Sequence, residues 1–424
     1  MTSLHLVFCD REGQVYDHPE LAMAGASGGR WLRVPMRETV PLPPGATIVS
    51  MPGRRPVGWD PSTGQPERVS RVPEVGAVWA AAAVLPPAYL RTLLPAEHRP
   101  KRARTLPLLG YAAVGWAEGG FRVAAMRLDR RRCWDPEHFD TPDLPALIEA
   151  KRAAMGPNRI VDQLAHCALD YHCYTAQNLF YGRWEAGVPV SPVCNADCVG
   201  CISLQPAGCC PSPQQRIDFE PTADETAAVL VEHLAKARQP IASFGQGCEG
   251  EPLLRADLIA EAVAMARRAT PRGTVNVNTN GSRPDAVEEL ARAGVDSLRI
   301  SLASTLAPRY DAYHRPRGYH ICTVAATIEQ AKAHGLWVAL NVLACPGVTD
   351  TKDETAGLVA FARRHRVDAV ELRNLNLDPD LAIAVLRPQA QGLGMRRLVA
   401  RLRSELPGVA VASFNRPVEK GRTG

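Results

Sequence analysis

Between residues 222 and 378 short apolar runs alternate with helical stretches, and this alternation constrains the fold more than any other feature of the chain. The runs lie at 241–244, 274–281, 296–302, 336–343 and 369–376, and the helical stretches at 222–238, 253–269, 284–293, 321–334 and 351–365. Thr222-Ala223-Asp224-Glu225 has the form of a capping box, in which a threonine hydroxyl and a glutamate each take an unpaired N–H at a helix start. Strands separated by helices of this length do not pair as hairpins. They pair in parallel through βαβ crossovers. In barrels built this way ligands collect at the carboxyl ends of the strands.

Ahead of these units an apolar run, 188–193, leads into Cys194-Asn195-Ala196-Asp197-Cys198-Val199-Gly200-Cys201. Three thiolates can hold a four-iron, four-sulfur cluster, whose irons take four ligands, only by leaving one iron without a protein ligand. The plain alternatives are a zinc knuckle or three buried thiols, since free cysteine is among the most buried residue types. A zinc site calls for a second close pair of cysteines or histidines, and the next cysteines are the adjacent Cys209 and Cys210.

The cysteine spacing, with polar motifs in register at the ends of the later strands, resembles the radical S-adenosylmethionine (SAM) superfamily over residues 186–378. The resemblance implies an α/β fold: a partial (β/α)6 barrel of radical SAM type with an N-terminal mixed, β-rich domain. It implies a [4Fe-4S] cluster on Cys194, Cys198 and Cys201, whose open iron chelates SAM. Reductive cleavage would then give a 5′-deoxyadenosyl radical acting on a substrate, with the electron coming from a reductant such as flavodoxin or ferredoxin. Gly250-Glu251-Pro252 looks like the family's Gly-Gly-Glu element, where glycine lets the backbone approach a ligand and Glu251 is the candidate partner of the SAM ammonium group. Ser301 and Asn341, at the ends of the fourth and fifth strands, match positions that contact the SAM carboxylate or ribose. One position departs from the family: the residue before the third cysteine is usually aromatic and packs near the adenine, but here it is Gly200, leaving Ile202 or Phe244 to substitute. The fuller motifs at 243–252 and 373–379 point to a subgroup without an assigned reaction, so a small molecule, a peptide and a modified nucleotide all stay open as substrate. A reading from another class is a non-catalytic iron–sulfur or zinc protein whose barrel is structural or regulatory.

The chain divides by composition into 1–142, a mixed or β-rich domain; 143–185, a helical linker packing on the barrel; 186–378, the barrel; and 379–424, a helix, a strand and a tail. Its 424 residues, 46% of them hydrophobic, are enough for two or three domains. A net charge of +5 is too mild to imply nucleic acid, and the arginine-rich stretches 98–104 and 127–132 carry no aromatic interleaving. The amino terminus lacks a charged n-region and a long apolar h-region, so neither a signal peptide nor a membrane span is expected, and cytoplasm is the default.

Twelve cysteines in such a chain read as metal or redox chemistry before disulfides. Cys133, Cys167, Cys173, Cys209 and Cys210 could serve an auxiliary cluster or be buried structural thiols. Cys167 and Cys173 fall in a single helical period, 160–180, and six residues apart on a helix they point about 120° away from each other. Sharing a metal would need that helix to break. Cys248, inside the glycine-rich turn, and Cys345, after the fifth strand, are candidate hydrogen donors to a substrate radical, with close packing as the plain reading.

Overall fold

The computed structural model describes residues 4–205 and 212–418. Cys209, Cys210 and the end of the tail, 419–424, lie outside the described residues.

Seven parallel strands run in chain order across one sheet: Arg183–Gly187, Arg238–Phe244, Thr274–Thr279, Ser297–Leu302, Trp337–Ala344, Ala369–Asn374 and Ala410–Ala412. Helices Ala223–Lys236, Ala256–Ala269, Val287–Ala293, Ile321–Ala333, Lys352–Arg364 and Met395–Glu405 carry the chain back between them. Parallel sheets covered on both faces normally read as unbroken apolar runs. This one alternates. Val275, Val277, Leu298, Ile300, Val338, Leu340 and Val370 are buried in one apolar core with the helices, while Asn276, Asn278, Arg299, Asn341 and Glu371 fall at the intervening positions. The alternation follows from curling: one face meets helices and the other lines a polar lumen.

The sheet curls into a partial barrel. Among the described residues its first and seventh strands do not pair, and the Asn415 side chain bridges the gap by donating to Glu185 Oε1 at 2.5 Å. Trp134 stacks with Phe139 and Phe414 beside that bridge.

Several expectations need correction. The first strand, Arg183–Gly187, was not foreseen; it ends just before the apolar run 188–193, where the Glu249 carboxylate takes the N–H groups of Val190 and Ser191 at 2.9 and 3.0 Å. Six strands were expected in the barrel, and the short carboxyl-terminal strand adds a seventh. The helical period at 160–180 is two helices, Arg159–Leu169 and Tyr174–Tyr181, separated by a turn in which His172 takes a left-handed φ of 50°. Helices Ala307–His314 and Pro379–Leu386 were not foreseen. The capping box stands as read: Thr222 Oγ1 accepts from Glu225 N at 3.1 Å and Glu225 Oε2 from Thr222 N at 2.8 Å.

Ahead of the barrel the chain forms an 11-stranded sheet whose pairings are antiparallel, including His5–Cys9, Thr47–Met51, Trp79–Val84 and Val114–Ala117. This β-rich region is wired to the carboxyl ends of the barrel strands. Asn374 donates to Tyr89 O at 2.9 Å and accepts from Arg91 N at 3.0 Å, and Arg91 Nη2 donates to Leu375 O at 2.7 Å. Arg54, fully buried, pairs with Asp378, which also accepts from Leu106 N at 2.9 Å. Removing one partner of a buried ion pair typically costs about 3–5 kcal/mol, so this contact fixes how the β-rich region sits on the barrel.

Candidate active site at the strand ends

The cysteine loop, 192–201, has almost no regular structure of its own and takes its shape from a neighbour. Helix Ala307–His314 ends in Arg315, whose left-handed φ of 47° turns the chain back along the loop. Asp197 N and Val199 N then donate to His314 O and Tyr313 O at 3.2 and 3.0 Å, and Arg317 N donates to Asn195 O at 2.9 Å. Arg317 also reaches the carbonyl of Cys194 with its guanidinium. These backbone bonds hold the three cysteines on one short arc, each half-buried.

The thiols sense one another. Burial first, then the charges of Cys194 and Cys201, push the Cys198 thiol up, and burial followed by Glu251 pushes Cys194 up to about 11. His314 contacts Cys198 Sγ through Nδ1 at 3.4 Å, while its Nε2 accepts from Ala303 N at 3.0 Å. An acceptor at Nε2 places the ring proton on Nδ1, so His314 donates to the sulfur. Arg216 Nη2 donates to Cys201 Sγ at 3.6 Å.

The glycine-rich turn after the second strand packs directly under this loop. Gly250 N donates to Ser191 O at 2.7 Å and Glu251 N to Val193 O at 2.8 Å. A Cβ on Gly250 would stand 2.0 Å from Val193 O, so only glycine permits the approach. Two buried carboxylates flank it. Glu249 accepts from the N–H groups of Val190, Ser191, Gly245 and Gln246 and is a knot between loop and turn. Glu251 accepts from Thr279 Oγ1 at 2.5 Å, Asn280 N at 2.7 Å and Leu253 N at 3.0 Å, and burial still pushes it up to about 7. Pro252 opens the short helical turn that Glu251 caps.

Ser301 and Asn341 are register partners on the fourth and fifth strands, with Asn341 Nδ2 3.4 Å from Ser301 Oγ. Both line a cavity of about 460 Å³ at the strand ends, a size typical of small-molecule sites. Cys201 and Gly250 line it as well, Arg299 and Arg373 stand in its wall, and Leu85–Tyr89 of the β-rich region closes one side. Beneath it a polar network fills the lumen: Arg299 binds Glu371 and Asn341, and Glu185 accepts from Ser243, Gln246 and Asn415.

Gly200 has no side chain because Tyr313 fills the space: a Cβ there would stand 2.6 Å from the Tyr313 hydroxyl. An aromatic ring thus borders the cavity beside the third cysteine, supplied from another helix. Ile202 also lines the cavity, whereas Phe244 is fully buried in the barrel core. Neither Cys248 nor Cys345 lines it. Both are buried, Cys248 with its thiol hydrogen-bonded to Cys167 and Cys345 in the apolar cluster with Val348 and Leu375. The break at 170–173 brings Cys173 near this pair, since Cys173 N donates to Cys167 O at 3.0 Å, while Cys133 packs elsewhere, beside Trp134. Among the described residues no group of three or more His, Cys, Asp or Glu side chains is drawn together tightly enough to grip one metal ion.

The sequence reading passed over Tyr313, His314, Arg315 and Arg317. Its one available signal was the unassigned gap between the fourth strand and the helix expected at 321, which holds three tyrosines and two histidines. Glu249 was missed because its motif position suggested a glycine, and Arg299 because it lies within a strand, not at its end.

Residues 188–359 match the family model for the Radical SAM superfamily. GTP 3′,8-cyclase of Rhodobacter capsulatus is 35% identical over 122 residues, which are 28% of this chain and 36% of that protein, so the chain spans only about a third of this relative's length. Among solved structures, SuiB of Streptococcus suis bound to S-adenosylmethionine is 13% identical, covering 54% of this chain and 50% of that one with a TM-score of 0.38. A radical SAM methyltransferase from Sphaerobacter thermophilus is 17% identical, covering 63% and 92% with a TM-score of 0.39. These scores are too low for either structure to bear on the chemistry. The matched segment contains the three cysteines, the glycine-rich turn, Ser301 and Asn341, so this part of the chain, residues 188–359, carries a Radical SAM superfamily domain.

Proposed function

We propose that the chain is a radical SAM enzyme acting on a substrate held in the cavity at the strand ends. The observation that carries this reading is the junction of the cysteine loop with the Gly250–Glu251 turn at the edge of that cavity, where two backbone bonds and a glycine contact seat one on the other. Cys194, Cys198 and Cys201 fit a [4Fe-4S] cluster: burial and neighbouring charge disfavour free thiolates at Cys194 and Cys198, and a cationic metal centre would stabilise them there. When bound there, a cluster with one iron free of protein ligands supplies an electron to SAM and so a 5′-deoxyadenosyl radical.

The chain's own residues do the rest. Gly250 lets the turn approach the cofactor, and Glu251 fixes the turn through Thr279, Asn280 and Leu253 while offering its remaining lone pair to the SAM ammonium group. Ser301 and Asn341 supply a hydroxyl and an amide toward the SAM carboxylate or ribose, and Tyr313 supplies the aromatic surface absent at Gly200. The segment 85–89 excludes water from the cavity. The electron comes from a small reductant protein such as flavodoxin or ferredoxin.

The test is anaerobic reconstitution with iron and sulfide, then dithionite and SAM, with 5′-deoxyadenosine measured by chromatography. The wild type is expected to release it and Cys198→Ala to release none. Equal release from both, or stoichiometric zinc with no iron in the wild type, overturns the reading.

A further inference from the structure

The motif at 373–379 is largely absorbed by docking: Asn374, Leu375 and Asp378 hold the β-rich region on the barrel. Arg373 is not. It rises from the sixth strand into the cavity, and although more than a third of its surface is exposed, that surface faces the cavity it lines. Nη1 donates to Ser413 O at 3.1 Å and the guanidinium lies 5.7 Å from the Phe414 ring centre. Among the described residues its Nε and Nη2 donate to no protein group.

The other charged side chains around it have protein partners, and of these Glu371 and Glu185 also favour its charge from a distance. Arg299 donates to Glu371 at 2.5 Å, Asn341 at 2.7 Å and Asn278 at 3.5 Å. Glu249 is held by four backbone N–H groups, and Glu185 by Ser243, Gln246 and Asn415. Burial first, then Arg299, draws Arg373 down to about 10, which leaves it cationic at neutral pH. A guanidinium in a cavity wall with two donors unspent gains most from an anion that can take both, and its planar fork matches a carboxylate or a phosphate.

We propose that Arg373 anchors an anionic group, a carboxylate or a phosphate, on the substrate that occupies this cavity. The inference rests on the enzymatic reading above for the word substrate, and on the geometry of Arg373 alone for the anion. Arg373 and Leu372 pair with Leu343 and Val342 of the fifth strand, and the chain just after is pinned by the Asn374 side chain to the β-rich region and by Leu375 N to Ala344 O, so the guanidinium is presented from a fixed base. Such an anchor sets which part of a substrate enters first and which carbon is left facing the cysteine loop.

The experiment is isothermal titration of the reconstituted full chain at low ionic strength with inorganic phosphate and, separately, with malonate, each with and without SAM. The wild type is expected to bind at least one of them saturably, and the preferred probe tells phosphate from carboxylate. Arg373→Met is expected to weaken that binding by about tenfold or more, Arg373→Lys by roughly threefold, and both to bind SAM within about twofold of the wild type. Arg373→Lys keeps the charge and the packing stem, so it carries the test should Arg373→Met fail to fold. Binding of neither anion by the wild type, or undiminished anion binding in the variants, overturns the proposal. A parallel loss of SAM affinity also overturns it, because Arg373 would then serve SAM itself. If no form of the protein binds SAM but the anion still depends on Arg373, the enzymatic reading falls and the anion site stands.

Discussion

Cys194, Cys198 and Cys201 lie half-buried on an irregular loop whose last cysteine, Cys201, lines the cavity, whereas Cys167 and Cys248, the latter within the glycine-rich turn, are buried in the barrel's apolar core with Cys173 packed against it. The inner sulfurs have ordinary partners: Gln163 Nε2 donates to Cys167 at 3.3 Å, Cys173 meets Thr175 Oγ1 at 3.2 Å, and one hydrogen bond joins Cys248 to Cys167. That last bond favours a thiolate on Cys167 and keeps the proton on Cys248. The outer thiols have one another, His314 and Arg216, and a glycine whose absent side chain lets the turn close on them. The two groups hold the same number of cysteines. What separates them is the opening onto a cavity at Cys201 and a supply of N–H donors from outside the loop, and these favour the outer group for a cluster.

The largest expected effect separates the groups outright. Cys198→Ala is expected to abolish iron binding on reconstitution, while Cys167→Ala and Cys248→Ala keep the wild-type iron content; colorimetric iron and labile sulfide measure both. Loss of iron in Cys248→Ala comparable to that in Cys198→Ala would erase the distinction.

Next comes the contact between them. Gly250→Ala puts a methyl group against Val193 O and the Cys194 amide, which must move. Overpacking of this kind costs roughly 1–3 kcal/mol in denaturant unfolding, and a loss of at least half the bound iron is expected with it. A stability loss with iron unchanged would show that the seat of the loop does not matter to the cluster.

A smaller effect concerns tuning. His314→Leu removes the hydrogen bond to Cys198 while keeping an apolar body in place, and donors to a ligating sulfur favour the reduced cluster. The midpoint potential is expected to become more negative by about 60 mV, which for a one-electron couple is about 1.4 kcal/mol. An unchanged potential by redox titration would put His314 outside the cluster's environment.

The smallest effect falls on the inner group's support. Helix Arg159–Leu169 carries Cys167, and Arg159 pairs with Glu225 of the capping box at 2.6 Å. Arg159, followed by the Thr222 and Arg159 N–H groups, holds the Glu225 carboxyl down to about 2 against burial, from an ordinary 4.5. A carboxylate depressed on folding stabilises the native state above its unfolded pKa, and that contribution is lost as pH falls from about 4.5 toward about 2. Glu225→Gln is therefore expected to cost about 1 kcal/mol at pH 7, with the two unfolding curves converging at acid pH and iron content unaffected. A constant difference across that range would mean the loss is of packing and not of charge.

The parallel units could be read from the sequence because their outer faces repeat apolar residues at period two and the first of their helices carries a capping box, both local signals. The first strand could not, since Arg183–Gly187 is too polar and too short to stand out beside the more apolar 188–193. The three cysteines and the Gly250–Glu251 turn were legible from spacing alone. Tyr313 and His314 were not, because their role depends on a helix of 8 residues, Ala307–His314, that folds back over the cysteine loop, a contact more than a hundred residues long in sequence. Arg373 was quoted within a motif but its role was hidden, because only the cavity distinguishes it from Arg299, whose donors are spent.

The central claim is that one iron of a cluster on Cys194, Cys198 and Cys201 is open to SAM. The most direct measurement is the electron spin resonance spectrum of the reconstituted, dithionite-reduced protein recorded before and after SAM is added. The account predicts a reduced cluster signal whose g-values shift on adding SAM, and a shift that is lost together with the signal in Cys198→Ala. A reduced cluster whose spectrum is indifferent to saturating SAM, or one that persists in Cys198→Ala, would contradict it.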